Sequence, residues 1–316
     1  MSARPIRVMS YNVRYFGHGT RGLVSTRRTM ERIAAAIAQS EPPLDLVCLQ
    51  EVETRSLRSN LAHRVEPNET QLESLMRCLE TAQAGRPDSA KFEAYYFPAH
   101  KYAVAEGAHI YTTGLAVLAR RDFVVEYHNA KVPHDITHRS LHALRKLKQT
   151  RICAHVRFRR KGHGGPDIDV FNTHLSLPAS MAKEFWTSPA RMGYGKNQLE
   201  EARNLVRFVE RERKSERFFL LGDFNALPGS PVYQFLVDEV GYQDPFARLH
   251  RMTAEELRSW PTAGFMRLRM HLDHVLSGKG LSWLDFEESH PFADRTSRFH
   301  GLSDHAPLIG RCRVTA

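Results

Sequence analysis

Six short runs of the sequence end on polar side chains of the same few types. They are SYNVR with Asn12, CLQEVE with Glu51, NTHL with His174, GDFN with Asp223 and Asn225, LDHVL with Asp273, and LSDHAP with Asp304 and His305. If the ends of these runs meet, they form a cleft floor of carboxylates, amides and imidazoles. Such a set offers mostly oxygen ligands, which suit Mg²⁺ or Mn²⁺ better than Zn²⁺.

Each run alone also has an ordinary structural interpretation. Asp223 and Asn225 precede ALPGS and are typical of a turn, and a polar residue after CLQ can simply face solvent where a strand ends. The joint occurrence changes the balance, because six such run ends between Asn12 and His305 are hard to obtain by chance. In an extended strand Asp223 and Asn225 would share one face, and Phe224 would point into the packing.

The runs that carry these residues predict strands of an α/β fold. Eight apolar segments predict strands, namely IRVMSYNV, LDLVCLQ, GLAVLAR, RICAHVRF, DIDVFNTHL, RFFLLGDF, LDHVLS and HAPLIGRCRV. Apolar periodicity predicts helices from Thr26, around Leu72, from Gln198, and at SPVYQFLVD with Pro231 as its first residue. The segments between them, including 84–113 and 240–270, are predicted as irregular. Strands and helices alternate without a break in composition, so we expect one domain over residues 1–316.

Charge and composition narrow the class of protein. The 316 residues include 45 Lys and Arg against 35 Asp and Glu, a net charge of +10 that favours polyanionic partners without identifying one. The four cysteines form no C-x-x-C pair, which argues against a disulfide framework and a thiolate zinc site. The sequence enters a strand almost at once, with no apolar signal region, and no stretch approaches the roughly 20 apolar residues of a membrane span. We expect a soluble, cytoplasmic monomer.

The ordered set of motifs resembles that of the endonuclease/exonuclease/phosphatase superfamily. The resemblance rests on SYNVR, CLQEVE, NTHL, GDFNALPGS, LDHVL and GLSDHAPL, and it spans residues 6–311. The superfamily includes pancreatic-type deoxyribonucleases, exonuclease III-type repair nucleases, neutral sphingomyelinases, inositol polyphosphate 5-phosphatases and deadenylases. The fold it implies is a four-layer α/β sandwich, in which two mainly antiparallel β-sheets pack face to face with helices outside.

The resemblance implies divalent-metal-dependent hydrolysis of a phosphodiester by in-line attack of water. The ligands of the Mg²⁺ or Mn²⁺ ion would be Asn12, Glu51 and Asp304. The catalytic residues would be His174, Asp223, Asn225, Asp273 and His305.

Within that catalytic set the implied roles differ. Asp223 would orient or deprotonate the water, with help from Asn225. His305 would contact the scissile phosphate, and Asp273 would hold its ring. His174 would act on the leaving oxygen or a phosphoryl oxygen, and Glu93 and Glu106 are only guesses for its carboxylate partner. His274, next to Asp273, is expected to pack away from the site because neighbouring strand residues point to opposite faces.

The substrate is the least determined part of the prediction. A nuclease is the first choice, because of the net charge and because basic residues cluster at 139–151, at 157–161 and in MRLRMH. The predicted substrate-binding residues are Arg151, Tyr111, Lys148 and Arg267. One alternative is a phosphodiesterase or phosphatase that acts on a lipid headgroup, as sphingomyelinases do, or on a small phosphoester. Another is an inactive binding module with the same fold, which the complete polar set argues against.

Overall fold

Two β-sheets with helices on their outer faces form the described part of the chain. The computed structural model describes residues 4–17, 27–53, 70–99, 103–105, 108–109, 113–138, 150–162, 166–178, 191–265, 268–287 and 295–315. Its strands are β1 (Ile6–Asn12), β2 (Leu46–Glu53), β3 (Phe92–Pro98), β4 (Ala103–Ala105), β5 (Ala108–His109), β6 (Thr113–Arg120), β7 (Phe123–His128), β8 (His134–Asp135), β9 (Ile152–Arg160), β10 (Ile168–His174), β11 (Phe218–Asp223), β12 (Ala263–Phe265), β13 (Leu268–Met270), β14 (Asp273–Ser277), β15 (Leu281–Phe286) and β16 (Leu308–Val314). Its α-helices are α1 (Arg27–Ala38), α2 (Gln71–Ala82), α3 (Lys196–Glu212), α4 (Pro231–Gln234), α5 (Pro245–His250) and α6 (Ala254–Arg258).

Both sheets are mixed but mainly antiparallel. The first sheet has the strand order β15-β16-β1-β2-β6-β3, and the second has β14-β11-β10-β9-β7, with β8 also paired to β9. One pair in each sheet is parallel, β1 with β2 and β10 with β11, and the other pairings of these sheets are antiparallel. The carboxyl ends of a parallel pair lie at the same edge of a sheet, so each sheet delivers two strand ends to one place.

The sheets pack face to face over a shared apolar core. Val8 and Val117 of the first sheet belong to the same buried cluster as Val156 and Leu221 of the second. Helices α1 and α2 cover the outer face of the first sheet, and α3 covers that of the second. Burial of each such side chain stabilises the fold by about 1.5–3 kcal/mol, which explains why the strands are apolar on consecutive residues. The expected four-layer sandwich is confirmed.

The helix starts follow from local capping residues. Thr70 and Glu73 form a reciprocal capping box at the start of α2. Ser230 caps α4, whose first residue is Pro231 as the sequence predicted, and the chain continues from α4 into a π-helical turn at Phe235–Glu239.

The eight apolar runs all form strands, but eight further strands were missed. Of these, β3, β7 and β15 lie at the sheet edges, where only part of each strand is buried. The two-residue strand β8 pairs with β9, while β4 with β5 and β12 with β13 form two separate two-stranded sheets. The predictions of irregular structure over 84–113 and 240–270 were therefore partly wrong. The first of these segments contains β3, and the second contains α5, α6, β12 and β13. Short and partly exposed elements lack the long apolar runs on which the prediction depended.

Gly222 allows β11 to lie close against β10. Its φ is +152°, and a Cβ atom at this position would lie 2.0 Å from the carbonyl oxygen of Thr173. We expect Gly222→Ala to lower the free energy of unfolding by about 3–5 kcal/mol, because backbone must move and a strained φ must be kept. Urea denaturation would measure the loss.

Gly241 offers a matched control for that substitution. Its φ is +83°, but no atom of the described residues lies within 4 Å of a Cβ atom built there. Gly241→Ala should therefore cost only the backbone strain, about 1–2 kcal/mol. Equal losses in the two variants would contradict the role given to the close strand approach at Gly222.

Two other expectations concern cysteines and membranes. All four cysteines are free, and Cys48, Cys153 and Cys312 are buried, as small apolar side chains often are. In the described residues, no helix has the length and apolar character that crossing a bilayer requires.

Candidate active site

The polar run ends converge at one edge of the two sheets. Asn12 ends β1 and His174 ends β10, while Asp223 ends β11 and lies opposite Asp273 at the start of β14. The LSDHAP loop is attached to this edge by backbone bonds, since Gly264 donates its N–H to the carbonyl oxygen of Asp304 over 2.7 Å. The structure therefore brings together side chains that are up to 291 residues apart, as the bond from Ser303 Oγ to the carbonyl oxygen of Asn12 shows.

Asp223 lies at the centre of this cluster. Its Oδ2 atom accepts a hydrogen bond from Asn12 Nδ2 over 3.1 Å. The same oxygen lies 3.5 Å from His174 Nε2 and 3.8 Å from His305 Nε2. Because the carboxylate is only 2% exposed, these neighbours, and not bulk water, determine its charge state.

The other oxygen of Asp223 forms the turn that the sequence also suggested. Oδ1 accepts the backbone N–H of Asn225 over 2.9 Å, and Asn225 has a left-handed backbone with φ of 47°. The expectation that Asp223 and Asn225 share one face of a strand was wrong, because β11 ends at Asp223. The side chain of Asn225 donates to the carbonyl oxygen of Leu175 over 3.0 Å, and Phe224 packs into the buried cluster beneath α3 as predicted.

Asp273 and His305 form a hydrogen-bonded pair. His305 Nδ1 lies 2.8 Å from Asp273 Oδ2, which also accepts the hydroxyl of Thr262 over 2.7 Å. The Thr262 oxygen accepts in turn from the backbone N–H of Asp273. The carboxylate therefore holds the imidazole with Nε2 directed towards Asp223, which is an arrangement suited to moving a proton.

Glu51 is placed by an irregularity in β2. The pairing of β2 with β6 shifts register between Leu49 and Val52, and Glu51 has a left-handed φ of 56°. A bulge of this kind redirects a side chain, and it is kept despite about 1–3 kcal/mol of backbone strain. Glu51 Oε1 accepts from Asn12 Nδ2 over 3.1 Å, and the same amide nitrogen also donates to Asp223 Oδ2 of the second sheet.

The charges around Glu51 fit a divalent cation. Burial, and then the negative charge of Asp304, raise the pKa of Glu51. A cation beside this carboxylate would therefore stabilise its charged form. The amide oxygen of Asn12 could add a further ligand, and in the structure it accepts the backbone N–H of Arg14 over 3.0 Å. Arg14, in a turn where three consecutive residues have positive φ, contacts Asp304 Oδ2 over 2.6 Å.

A second group of possible ligand atoms is better suited to proton transfer. Among the described residues, one atom each of Asp223, Asp273 and His305 lies within 4.8 Å of the others. However, Asp273 Oδ2 already accepts two hydrogen bonds, and His305 Nδ1 faces that oxygen. Asn12, Glu51 and Asp304 could supply oxygen donors of the kind that Mg²⁺ or Mn²⁺ prefers, and Asn12 and Glu51 are already joined by their 3.1 Å hydrogen bond.

The two histidines of the cluster have opposite charge preferences. Burial, with the nearby charges of Arg151 and His305, lowers the pKa of His174 well below its usual value, so its ring is neutral at pH 7. Burial also opposes protonation of His305, but the carboxylates of Asp273 and Asp223 outweigh it and raise the pKa well above the usual range. Burial and then the charge of Asp273 raise the pKa of Asp223 to about 7.

The remaining site predictions have mixed outcomes. Arg151 lies beside the cluster, with Nη1 3.5 Å from the carbonyl oxygen of His174. Tyr111, Lys148 and Arg267 lie outside the described residues. For His174, the carboxylate neighbour is Asp223 and not Glu93, which is exposed on β3, while Glu106 also lies outside the described residues.

His274 is packed away as expected. Its Nε2 atom lies 2.8 Å from the carbonyl oxygen of Ala226.

The basic run at 157–161 is not part of the cluster, since Arg157 pairs with Asp169 and Arg159 with Glu126. Arg157 and Arg159 lie toward the far end of β9. At about 3.3 Å per strand residue, this end is roughly 20–30 Å from Arg151.

Sequence reasoning missed two kinds of supporting residue. Thr262, which orients Asp273, lies in a segment predicted as irregular, and no local pattern marked it. Gln50 joins the two sheets under the cluster through a 2.8 Å hydrogen bond to Asn172, and both are fully buried. Asn172 is the first residue of the NTHL run and was among the polar strand-end residues, whereas the only signal for Gln50 was its position next to Glu51.

The comparisons with known proteins agree with this architecture. The sequence matches the Endonuclease/Exonuclease/phosphatase family over residues 9–305, whereas no curated protein shows a significant match. An endonuclease/exonuclease/phosphatase from Beutenbergia cavernae has a similar structure, with a TM-score of 0.64, 20% identity, and coverage of 99% of this chain and 72% of that one.

Two further solved structures share the fold. The human Nocturnin catalytic domain with bound sulfate anion has a TM-score of 0.61 at 17% identity, over 100% of this chain and 97% of that one. ANGEL2, a 2′,3′-cyclic phosphatase in complex with adenosine-2′,3′-vanadate, has a TM-score of 0.62 at 16% identity, over 99% and 96%. Since the family match extends over nearly its whole length, the chain belongs to the endonuclease/exonuclease/phosphatase family, whose members are generally phosphoester hydrolases that use divalent metals.

Proposed function

We propose that this protein is a divalent-metal-dependent phosphodiester hydrolase with nucleic acid as its first substrate class. The observation that carries the proposal is the surroundings of Asp223 Oδ2. A carboxylate whose pKa is raised to about 7 lies between a neutral imidazole and a protonated one. Such a group can take a proton from water near neutral pH, and the protonated partner can give one back.

Asn12, Glu51 and Asp304 would hold Mg²⁺ or Mn²⁺. When bound, the ion supplies positive charge that stabilises the additional negative charge on the phosphoryl oxygens. These three side chains approach from β1, β2 and the loop before β16, so both the register shift at Glu51 and the turn at Arg14 contribute to their placement.

The other residues of the site would have separate roles in the reaction. Asp223 orients the attacking water and accepts its proton, while Asn225 fixes the turn that holds Asp223. His305, kept protonated by Asp273, stabilises charge on the phosphate or protonates the leaving oxygen. His174 stays neutral and donates a hydrogen bond to a phosphoryl oxygen. Arg151, on the His174 side of the cluster, adds positive charge toward the substrate.

A small phosphoester is the second candidate substrate. The support is the likeness to ANGEL2, a 2′,3′-cyclic phosphatase, and the fact that the described basic residues at 157–161 lie away from the cluster. A lipid headgroup is a further small-substrate alternative. From the sequence we also propose that the protein is cytoplasmic, that residues 1–316 form one domain, and that the protein is a monomer.

A panel of phosphoester substrates tests the proposal. The panel includes duplex and single-stranded DNA, RNA, a nucleoside 2′,3′-cyclic phosphate, sphingomyelin and inositol phosphates, each with Mg²⁺ or Mn²⁺. We expect cleavage of a nucleic acid that weakens as salt rises, because phosphate contacts release counterions. Turnover of a small phosphoester alone would select the second candidate, and inactivity on every substrate would contradict hydrolysis.

Removal of the metal gives a separate prediction. EDTA should abolish activity, and added Mg²⁺ should restore it and raise Tm, since a ligand that binds only the folded state stabilises it by about 2.7 kcal/mol at 100 times its Kd. Glu51→Gln should lose most of the Mg²⁺-dependent rise in Tm. The control Glu93→Gln changes an exposed carboxylate on β3 and should keep the full rise. A full rise in Glu51→Gln would contradict the assigned metal ligand.

A further inference from the structure

Gln198 connects the start of α3 to two loops of the cluster. Its side chain is fully buried. Its Nε2 atom donates to the carbonyl oxygens of Ser176 over 2.8 Å and Asn225 over 2.7 Å. Its Oε1 atom accepts the backbone N–H groups of Gly193 over 3.0 Å and Gly195 over 3.2 Å. One amide thus fills all four hydrogen-bonding positions that its two atoms offer.

The two carbonyl groups that Gln198 binds belong to the loops that carry His174 and Asp223. Ser176 follows His174 by two residues, and Asn225 follows Asp223 by two residues. The backbone of Asn225 has a strained, positive φ, and its N–H donates to Asp223 Oδ1. The bond from Gln198 to the carbonyl oxygen of Asn225 therefore helps to hold this turn. The two loops are further joined by the bond from Asn225 Nδ2 to the carbonyl oxygen of Leu175.

We infer that Gln198 is a positioning residue that sets the separation between His174 and Asp223 through these two carbonyl groups. All four hydrogen-bonding positions of the Gln198 amide are taken by backbone groups, so it acts through the loops. The pairing of β10 with β11 and the bond from the Leu175 N–H to the Asp223 carbonyl oxygen bring the two strand ends together, and Gln198 holds the loops beyond them, on which the 3.5 Å separation of His174 Nε2 and Asp223 Oδ2 also depends. The inference deepens the proposed function, since its kinetic consequence rests on hydrolysis at this cluster.

The two halves of the amide can be tested separately. Gln198→Glu keeps an acceptor for Gly193 and Gly195 but loses both donors, and it places carboxylate oxygen near the two carbonyl oxygens. A negative charge in the first turn of α3 is compatible with the helix dipole, so the helix should still form. A misplacement of about 1 Å can cost about 100-fold in rate. We expect kcat to fall about 10- to 100-fold with KM changed less than about threefold.

Asn197→Asp is the matched control. It introduces the same charge one residue earlier, at a side chain that donates to the carbonyl oxygen of Leu177 and to neither loop carbonyl named above. We expect its kcat within about twofold of the wild type. Gln198→Met is the uncharged companion, and it should lose activity as Gln198→Glu does. If Asn197→Asp loses as much activity, the loss is not specific to the two donors of Gln198, because this control adds the same charge and removes the bond to Leu177 instead, and the inference is wrong.

Hydrogen exchange separates this inference from the proposed function. Mass spectrometry on the same variants should show faster exchange in peptides that contain Ser176 and Asn225 for Gln198→Glu, but not for Asn197→Asp. An inactive wild type would contradict hydrolysis while leaving this comparison decisive for Gln198. Unchanged exchange, or kcat preserved in Gln198→Glu, would overturn the inference. Failure of both Gln198 variants to fold would also overturn it, because Gln198 would then be needed for folding and not for positioning.

Discussion

Asp223→Asn should lower kcat by about 100- to 10,000-fold in a protein that still folds, because an amide cannot accept the proton of water. The amide keeps the shape of the carboxylate, and its oxygen can still accept the N–H of Asn225, so the bond seen at 2.9 Å is retained. Its nitrogen then replaces Oδ2 and loses the hydrogen bond from Asn12 Nδ2. A test with purified protein needs only initial rates and thermal unfolding.

The same substitution should increase stability at alkaline pH. The unfolded chain releases the Asp223 proton near pH 4, whereas burial and Asp273 raise the folded-state pKa to about 7. The folded state therefore binds more protons between these values, and stability falls as pH rises from about 4 to about 7. The difference corresponds to about 4 kcal/mol above pH 7; Asp223→Asn removes it but loses the hydrogen bond from Asn12, which costs about 1–3 kcal/mol, so a net gain remains. Tm of the variant should exceed that of the wild type at about pH 8, and the gap should narrow at about pH 5.

Asp244→Asn provides the control for burial of an acid. Asp244 is 5% exposed, and burial raises its pKa too, but it caps α5 away from the cluster by accepting the N–H of Ala247. Asparagine can make the same cap, so folding and kcat should be retained. An Asp223→Asn protein that unfolds, yet keeps its activity per folded molecule, would show that Asp223 is structural.

Activity of the wild type should fall on the acid side as Asp223 becomes protonated. In the metal-free site the pKa of Asp223 is about 7, and a bound cation lowers it because positive charge favours the carboxylate, so the midpoint of the metal-dependent activity should lie below pH 7. Asp223→Asn should remove this dependence from its residual activity. A wild-type profile that is flat between about pH 5 and 8 would argue against Asp223 as the base.

The sequence predicted the interior strands better than the edge strands, for a reason visible in their burial. Strands such as β6 and β11 are buried at every position, so they appear as continuous apolar runs. Strands β3 and β15 are only partly buried, and β7 has exposed or half-buried residues after its first position. Their stability depends on pairing with a neighbour that is distant in sequence, which no local pattern records.

The sequence predicted which residues belong to the cluster, but it did not predict how they are arranged. Carboxylates and imidazoles at run ends identified Asp223 and His305, but the left-handed backbone of Asn225 follows from a hydrogen bond and not from strand alternation. The bond between Asn12 and Asp223 spans 211 residues. The roles of Thr262 and Gln198 depend on contacts of the same long-range kind, which explains why neither role was predicted.

His305→Ala and Asp273→Asn should have large effects that do not add. His305→Ala should lower kcat by about 100- to 10,000-fold, since it removes the protonated group 3.8 Å from Asp223. Asp273→Asn should lower it by about 100-fold or more, because Asp273 keeps the pKa of His305 high and orients its ring over 2.8 Å.

If Asp273 acts only through His305, the kcat of the double variant should equal that of His305→Ala within about threefold. An NMR titration adds a readout that does not depend on activity, because Asp273→Asn should lower the pKa of His305. His134→Gln is the control for loss of a histidine, since His134 stacks on Phe208 and should leave kcat unchanged. Full additivity of the two losses would mean that Asp273 has a second role, and its buried Oδ1 atom, which has no hydrogen-bond partner among the described residues, would be the place to look for it.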